Sequence, residues 1–194
     1  LKAVGLVGLA YMDAGARSFY TVKKPILSPD DLKGLKIRTQ KSPVMMDMVK
    51  AMGGVPVPMA FEEVYSALQT GVIDGAENNP PSYYETSHYE VAKYYSLDEH
   101  AMVPELLFMS LKTWNALSPE DREIIKMAAI AAQELQRRLW LKDEEIALEK
   151  VKEAGCKIYH PKKEPFIEAV KPVYDKYASK YKDLIEQIMK MGEE

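Results

Sequence analysis

The sequence predicts an α/β fold, and three observations carry that expectation. Strand-like and helix-like runs alternate from Leu35 to Glu77, the order that builds a parallel sheet through βαβ units. A stretch with neither proline nor glycine runs from Glu120 to Ala154, several times longer than the average globular helix of about 11 residues. The 194 residues are 47% hydrophobic and 28% charged, which supplies a packed core and excludes disordered and low-complexity chains.

Leu1 to Ala10 is apolar with two glycines and predicts a buried strand with close backbone contacts at Gly5 and Gly8. Asp13 to Arg17 reads as a polar turn and Phe19 to Val22 as a short strand. In Pro25 to Gly34, Ser28-Pro29-Asp30-Asp31 offers an N-cap, a proline at N1 and first-turn acids, so one helical turn fits there. Leu35 to Thr39 alternates as a strand, with Ile37 on one face and Lys36 and Arg38 on the other. Ser42-Pro43 starts a helix whose Val44, Met45, Met48, Val49 and Met52 share one face, and Gly53-Gly54 ends it. The methionine stripe at this spacing is core packing. Two prolines make Val55 to Met59 an edge strand or extended link. Phe61 to Thr70 is a helix closed by Gly71, and Val72 to Glu77 is a short buried strand.

Asn78-Asn79-Pro80-Pro81 is expected to stop regular structure, with Ser82 capping a following helix. Ala92 to Leu97 and Leu106 to Leu111 read as strands. Ser118-Pro119-Glu120-Asp121 combines an N-cap, an N1 proline and an acid at N3, a capping-box variant, and opens the long helix. Lys157 to Tyr159 is a strand, Pro165 to Lys180 a helix interrupted at Pro172, and Asp183 to Met191 a last helix.

The charge balance, 26 basic against 29 acidic residues, leaves no basic tract of the kind nucleic acid requires. One cysteine, Cys156, excludes an internal disulfide and reads as a small buried hydrophobe. The apolar runs are far too short to span a bilayer. His88, His100 and His160 have no metal-ligand spacing, and there is no GxSxG elbow, P-loop, GxGxxG or EF-hand pattern. Nothing selects a catalytic acid and base, a cofactor or a metal.

Polar residues instead gather at strand ends, where open α/β sheets bind ligands. Arg38 ends LKIR, Glu77, Asn78 and Asn79 follow VIDGA, and Arg17 sits in the turn after the first strand. A guanidinium in a half-closed cleft needs an anionic partner, which makes a carboxylate or phosphate ligand one reading. In the other, Arg38 makes a surface salt bridge to Asp30 or Asp31 and the asparagines cap a turn.

The runs DLKGLKIRTQ, GGVPVPMAFEEVYSALQTGVIDGAENNPPSYYE and HYEVAKYYSLDEHAMVPELLFMS, with the tail GCKIYHPKKEPFIEAVKPVY, resemble the solute-binding proteins of TRAP transporters, the DctP-like family. The resemblance covers nearly the whole chain. It implies a periplasmic-binding-protein-like architecture: two α/β lobes joined by strands and a long bent hinge helix, closing around a small organic acid. Arg38 then matches the arginine that holds the ligand carboxylate in a bidentate salt bridge. Arg17 matches an assisting arginine, Asn78 a further ligand contact, and Phe61 an aromatic packed on the ligand. ENNPPSYYE and DAGARSFY resemble the subgroup that binds hexuronates such as glucuronate or galacturonate. Asn79 then either meets a polyhydroxylated ligand or only shapes the turn, and Gln40, Glu77 and Tyr83 complete the candidate ligand-binding set, Tyr83 with packing on a lobe surface as its other reading.

The family pattern also implies a longer chain, with the first lobe incomplete in this sequence. Residues 1–13 would form an interlobe strand and 14–102 the second lobe. Residues 103–146 would be a first-lobe remnant with the long connecting helix, and 147–194 the return to the second lobe. The expected partners are a small carboxylate and the TRAP membrane permease, at a periplasmic or extracytoplasmic location. Homodimerisation through exposed apolar residues of the first-lobe remnant, such as Leu106, Leu107 and Phe108, is a further expectation. Two other classes stand beside binding: an α/β enzyme using Glu77 or His100 as acid or base, and a dimerising interaction module.

Overall fold

The computed structural model describes Leu1–Met191. Its strands are β1 (Leu6–Met12), β2 (Ala16–Thr21), β3 (Lys36–Thr39), β4 (Val55–Pro58), β5 (Gly75–Asn78), β6 (Tyr94–Met102), β7 (Glu105–Ser110) and β8 (Lys157–Tyr159). The helices are α1 (Pro43–Ala51), α2 (Val64–Gln69), α3 (Pro80–Glu85), α4 (His88–Val91), α5 (Leu111–Ala116), α6 (Pro119–Glu153), α7 (Glu164–Ala169), α8 (Lys171–Tyr177) and α9 (Lys182–Met191).

Six strands form one sheet in the order β4-β3-β5-β2-β6-β8, and β1 pairs with β7 in a separate ribbon. The alternating segment from β3 to β5 folds as expected: β3 pairs parallel with both β4 and β5, and the two prolines of β4 sit on the sheet edge. The sheet is mixed, because β2 runs antiparallel to its neighbours β5 and β6. That reversal has a consequence for position. The carboxyl ends of β3, β4, β5 and β6 and the amino end of β2 all reach the same sheet edge.

The pleat sends successive side chains to opposite faces, and β2 shows it directly. Phe19 enters a cluster with Ile26, Leu32, Ile37, Met45, Met48, Val49, Met52 and Phe166. Tyr20 enters another with Val64, Leu68, Ile73, Tyr83, Tyr95, Val151 and Cys156. The methionine stripe of α1 therefore packs as its spacing requires, and Cys156 is a buried hydrophobe. The long proline- and glycine-free segment is one 35-residue helix, capped by Ser118 Oγ accepting from Asp121 N–H. Its Val151 is buried in the second cluster and Ala147 is buried as well, whereas Ile124, Met127 and Ile130 are exposed.

Several expectations are corrected. The first ten residues do not make a buried strand: Lys2–Val4 is a single 3-10 turn closed by Gly5 at φ 76°, and β1 is only partly covered. Gly5 has open space where a Cβ would stand, so its role is the left-handed turn and not a close contact. Arg17 belongs to β2 and not to a turn. Asn-Asn-Pro-Pro starts a helix instead of stopping one, since prolines suit the first helical turn; the cap is Asn79, whose side chain accepts from Ser82 N–H. Helix α5 follows directly after β7, where the sequence reading left no helix.

Candidate functional site

At the common sheet edge lies a cavity of about 290 Å³, near the lower end of small-molecule sites, roughly 300 Å³. Each strand end supplies part of its wall: Arg38 and Gln40 from β3, Phe61 beyond β4, Asn78 and Asn79 from β5, Arg17 from β2, and Val103 and Glu105 beyond β6. Ala14, Gly15 and Ser82 complete it.

The two arginines differ in their partners. Arg17 Nε donates to Glu77 Oε2 at 2.5 Å, and its Nη2 donates to Glu77 Oε1 and to the Glu77 carbonyl, both at 3.0 Å. Burial opposes the Arg17 charge, but the Glu77 carboxylate outweighs it and holds the guanidinium above its ordinary pKa. Arg38 has no such carboxylate. It is 4% exposed, and its Nε and Nη2 donate only to the Met59 carbonyl, at 3.3 and 3.1 Å. Among the described residues Arg38 makes no ion pair. Burial, with Arg17 as a like charge nearby, pushes its pKa below the ordinary value and outweighs the negative charges of Glu77 and Glu62, neither of which pairs with it. A buried cation that faces a cavity without a counter-charge is electrostatically incomplete. The surface-bridge alternative fails here: Asp30 pairs with Lys33 at 2.8 Å and Asp31 with Lys24 at 3.8 Å.

Phe61 lies beside Arg38, with the guanidinium carbon 5.5 Å from the ring centroid, within cation–π range. Behind Phe61 the ring of His88 meets it edge-on at 5.6 Å, and His88 Nδ1 is hydrogen-bonded to Tyr20 Oη at 2.8 Å. Burial and the Arg38 charge lower the His88 pKa to about 4, so its ring is neutral. Asn78 Oδ1 accepts from Asn79 N–H at 2.9 Å, which leaves its Nδ2 without a partner among the described residues. Asn79 spends both ends of its amide on the protein, accepting from Ser82 N–H and donating to the Ala14 carbonyl. It therefore fixes the wall, in keeping with the turn-shaping alternative.

Glu77 and Tyr83 do not line the cavity. Glu77 is fully buried beneath it, between Arg17 and His100 Nε2, which is 3.6 Å from Oε2. Burial works against its charge, but His100 and Arg17 prevail and hold its pKa below the carboxylate range. Tyr83 points into the core, its ring tilted against those of Tyr20 and Tyr95, and donates to the Ala92 carbonyl at 2.5 Å. The phase of α3 turns Ser82 toward the cavity and Tyr83 away.

Under the floor, His100 Nδ1 is 2.8 Å from Asp98 Oδ2, and its ring stacks on Phe19 at 4.2 Å. Asp98 also accepts from Phe19 N–H. A break in the β2–β6 register allows this, with Glu99 in the left-handed region at φ 50° and its N–H donated to Ser18 Oγ. Burial opposes protonation of His100, but Asp98 and Glu77 raise its pKa to about 9. Among the described residues no group of three or more His, Cys, Asp and Glu could hold a metal, and no helix is long and apolar enough to cross a membrane.

The model of the bacterial extracellular solute-binding protein family 7, DctP, matches residues 1–180. The chain belongs to this family. The DctP-family chain is 43% identical over 185 residues to a solute-binding protein of Chromohalobacter salexigens, covering 95% of this chain and 55% of that one. It superposes with TM-score 0.90 on a TRAP periplasmic solute-binding protein from Sulfitobacter sp. NAS-14.1 with bound β-D-galacturonate, at 47% identity, covering 96% of this chain and 62% of that one. A TRAP protein from Pseudomonas putida F1 with bound D-glucuronate gives TM-score 0.90 at 48% identity, covering 95% and 60%. The α/β fold is thus that of the two-lobe TRAP binding proteins. The chain spans between about half and two thirds of the length of these relatives.

The sequence reading missed Ala14, Gly15, Ser82, Val103 and Glu105 in the wall. Ser82 had a readable signal, since an Asn-Pro-Pro helix start places the third following residue in the first turn. Val103 and Glu105 had none, because long-range pairing brings them to this edge: β2 with β6, and β1 with β7 from Met12 opposite Glu105.

Proposed function

We propose that this chain carries the carboxylate-binding half of an extracytoplasmic solute-binding protein. Its ligand is a sugar acid of the hexuronate kind, delivered to the membrane permease of a TRAP transporter. The observation that carries the reading is Arg38, a buried guanidinium that faces the cavity and has no carboxylate partner of its own. A ligand carboxylate completes it through the planar fork. The Arg17 charge is already balanced by Glu77, so the wall calls for one anionic group and not two. Gln40, Ser82 and the Asn78 amide suit the hydroxyls of a sugar ring. Galacturonate and glucuronate in the superposed TRAP proteins agree with that ligand class.

The lobe division follows the same reading. Of the described residues, 14–102 and 147–191 form the second lobe, supported by the burial of Val151 and Cys156 with Tyr20 and Tyr95. Residues 1–13 and 103–146 form the connecting strands and helix with part of the first lobe. The relatives are solute-binding proteins, and catalysis by Glu77 or His100 loses support because neither lines the cavity and both are engaged, Glu77 with Arg17 and His100 with Asp98. The site works by capture and release.

A thermal-shift series on the full-length protein tests the ligand class. Glucuronate or galacturonate at a hundredfold excess over its Kd adds about 2.7 kcal/mol to stability and a clear rise in Tm. Glucose and galactose, which lack the carboxylate, leave Tm unchanged. Equal shifts from acid and neutral sugar would remove the role given to Arg38.

A further inference from the structure

The Arg38 fork is useful only if its plane is held in one orientation, because bidentate capture depends on that plane. One edge is held by the Met59 carbonyl. The face rests on Phe61, a half-exposed side chain in a single 3-10 turn, Phe61–Glu63. The ring packs against the tyrosine-rich core cluster, and its aromatic neighbour there is His88, with ring centroids 5.6 Å apart and planes at 73°.

His88 is itself closely fixed. It is 2% exposed, opens the four-residue helix α4, and follows Ser87, a non-glycine residue in the left-handed region at φ 58°. Its Nδ1 is tied to Tyr20 Oη on the central strand β2, and Tyr20 is fully buried among Tyr83 and Tyr95. A relay of contacts thus runs from the tyrosine core through His88 and Phe61 to the guanidinium. His88 does not line the cavity, so it acts through its neighbours.

We propose that His88 is a positioning residue for ligand capture: its ring edge backs Phe61, and Phe61 holds the plane of Arg38 toward the ligand carboxylate. This rests on the carboxylate-binding reading of Arg38. A neutral imidazole suits the place better than a cation, since a charged ring would sit beside an arginine that has no counter-ion. It also suits it better than an aliphatic residue, which would leave Tyr20 Oη buried without a partner.

The test is made by calorimetry on the full-length protein with galacturonate and glucuronate. His88→Asn keeps a hydrogen-bonding group for Tyr20 Oη but removes the distal ring edge. It is expected to weaken uronate binding about fivefold, the scale of one aromatic pair, with a modest fall in the Tm of the ligand-free protein for the lost buried ring. The double variant Tyr20→Phe/His88→Phe restores a ring without orphaning a hydroxyl, and returns binding to within about twofold of wild type. In an Arg38→Lys background there is no guanidinium plane to hold, so adding His88→Asn changes Kd less than about twofold, whereas a purely structural defect would add in full. Wild-type affinity in His88→Asn, or full additivity with Arg38→Lys, would overturn the proposal. Arg38→Ala runs alongside: wild-type affinity there would overturn the carboxylate reading itself, while loss in Arg38→Ala with no effect in His88→Asn rejects only the role of His88.

Discussion

Raising the pH from 6.5 to 9 should destabilise this protein through one buried side chain, His100. In the fold its imidazolium lies 2.8 Å from Asp98 and 3.6 Å from Glu77, against the face of Phe19. Burial alone would expel the proton, but the two carboxylates retain it up to about pH 9. In the unfolded chain a histidine loses its proton near 6.5. The folded value is the higher, so the stabilisation is complete below pH 6.5 and is lost progressively as the pH rises toward 9. A gap of about 2.5 pH units at about 1.4 kcal/mol per unit comes to about 3–4 kcal/mol at most. Urea unfolding of the full-length protein at half-unit steps from pH 6 to 9.5 measures it. His100→Gln should be less stable at pH 6.5 and should show a nearly flat profile over the same range. Equal slopes for wild type and His100→Gln would refute the buried imidazolium.

The neighbouring contacts make further expectations. Glu77→Gln keeps the shape of the floor but leaves the Arg17 charge without its carboxylate. It should cost about 3 kcal/mol, the low end for breaking a buried pair because Arg17 keeps some solvent access, read as a fall in urea midpoint with unchanged slope. Gly15 sits at φ 63°, and a Cβ there would stand 2.0 Å from Glu144 Oε1 and 2.8 Å from Trp140 Nε1. Gly15→Ala should therefore cost about 2 kcal/mol in stability and weaken uronate binding, because this residue is part of the cavity wall. Unchanged Tm and Kd would show that the loop before β2 yields without penalty.

Local chemistry made much of the fold legible. Ser118-Pro119 and the missing breakers up to Ala154 specified α6, and the spacing of Met45, Met48 and Met52 gave the buried face of α1. Arg38, Gln40, Phe61 and Asn78 reached the cavity because each follows or ends a strand whose direction was readable. The failures share a cause in long-range pairing. Nothing near Arg17 announces that β2 runs antiparallel between β5 and β6, and that pairing sets Arg17 on Glu77 and buries the carboxylate. The kink at Glu99, which aims Asp98 and His100 at each other, is likewise a product of register. Tyr83 was misplaced by helix phase: once Asn79 caps α3, it is Ser82 that meets the cavity and Tyr83 that enters the core.

In the proposed function Arg38 is the group that captures the ligand carboxylate. Titration calorimetry of the full-length protein with galacturonate and glucuronate, wild type against Arg38→Ala and Arg38→Lys, tests it most directly. Arg38→Ala should lose about 3 kcal/mol of binding, at least a hundredfold in Kd, as expected when one partner of a desolvated charge pair is removed. Arg38→Lys should fall between the two, since it keeps the charge and loses the fork. Uronate affinity that survives Arg38→Ala undiminished would contradict the account.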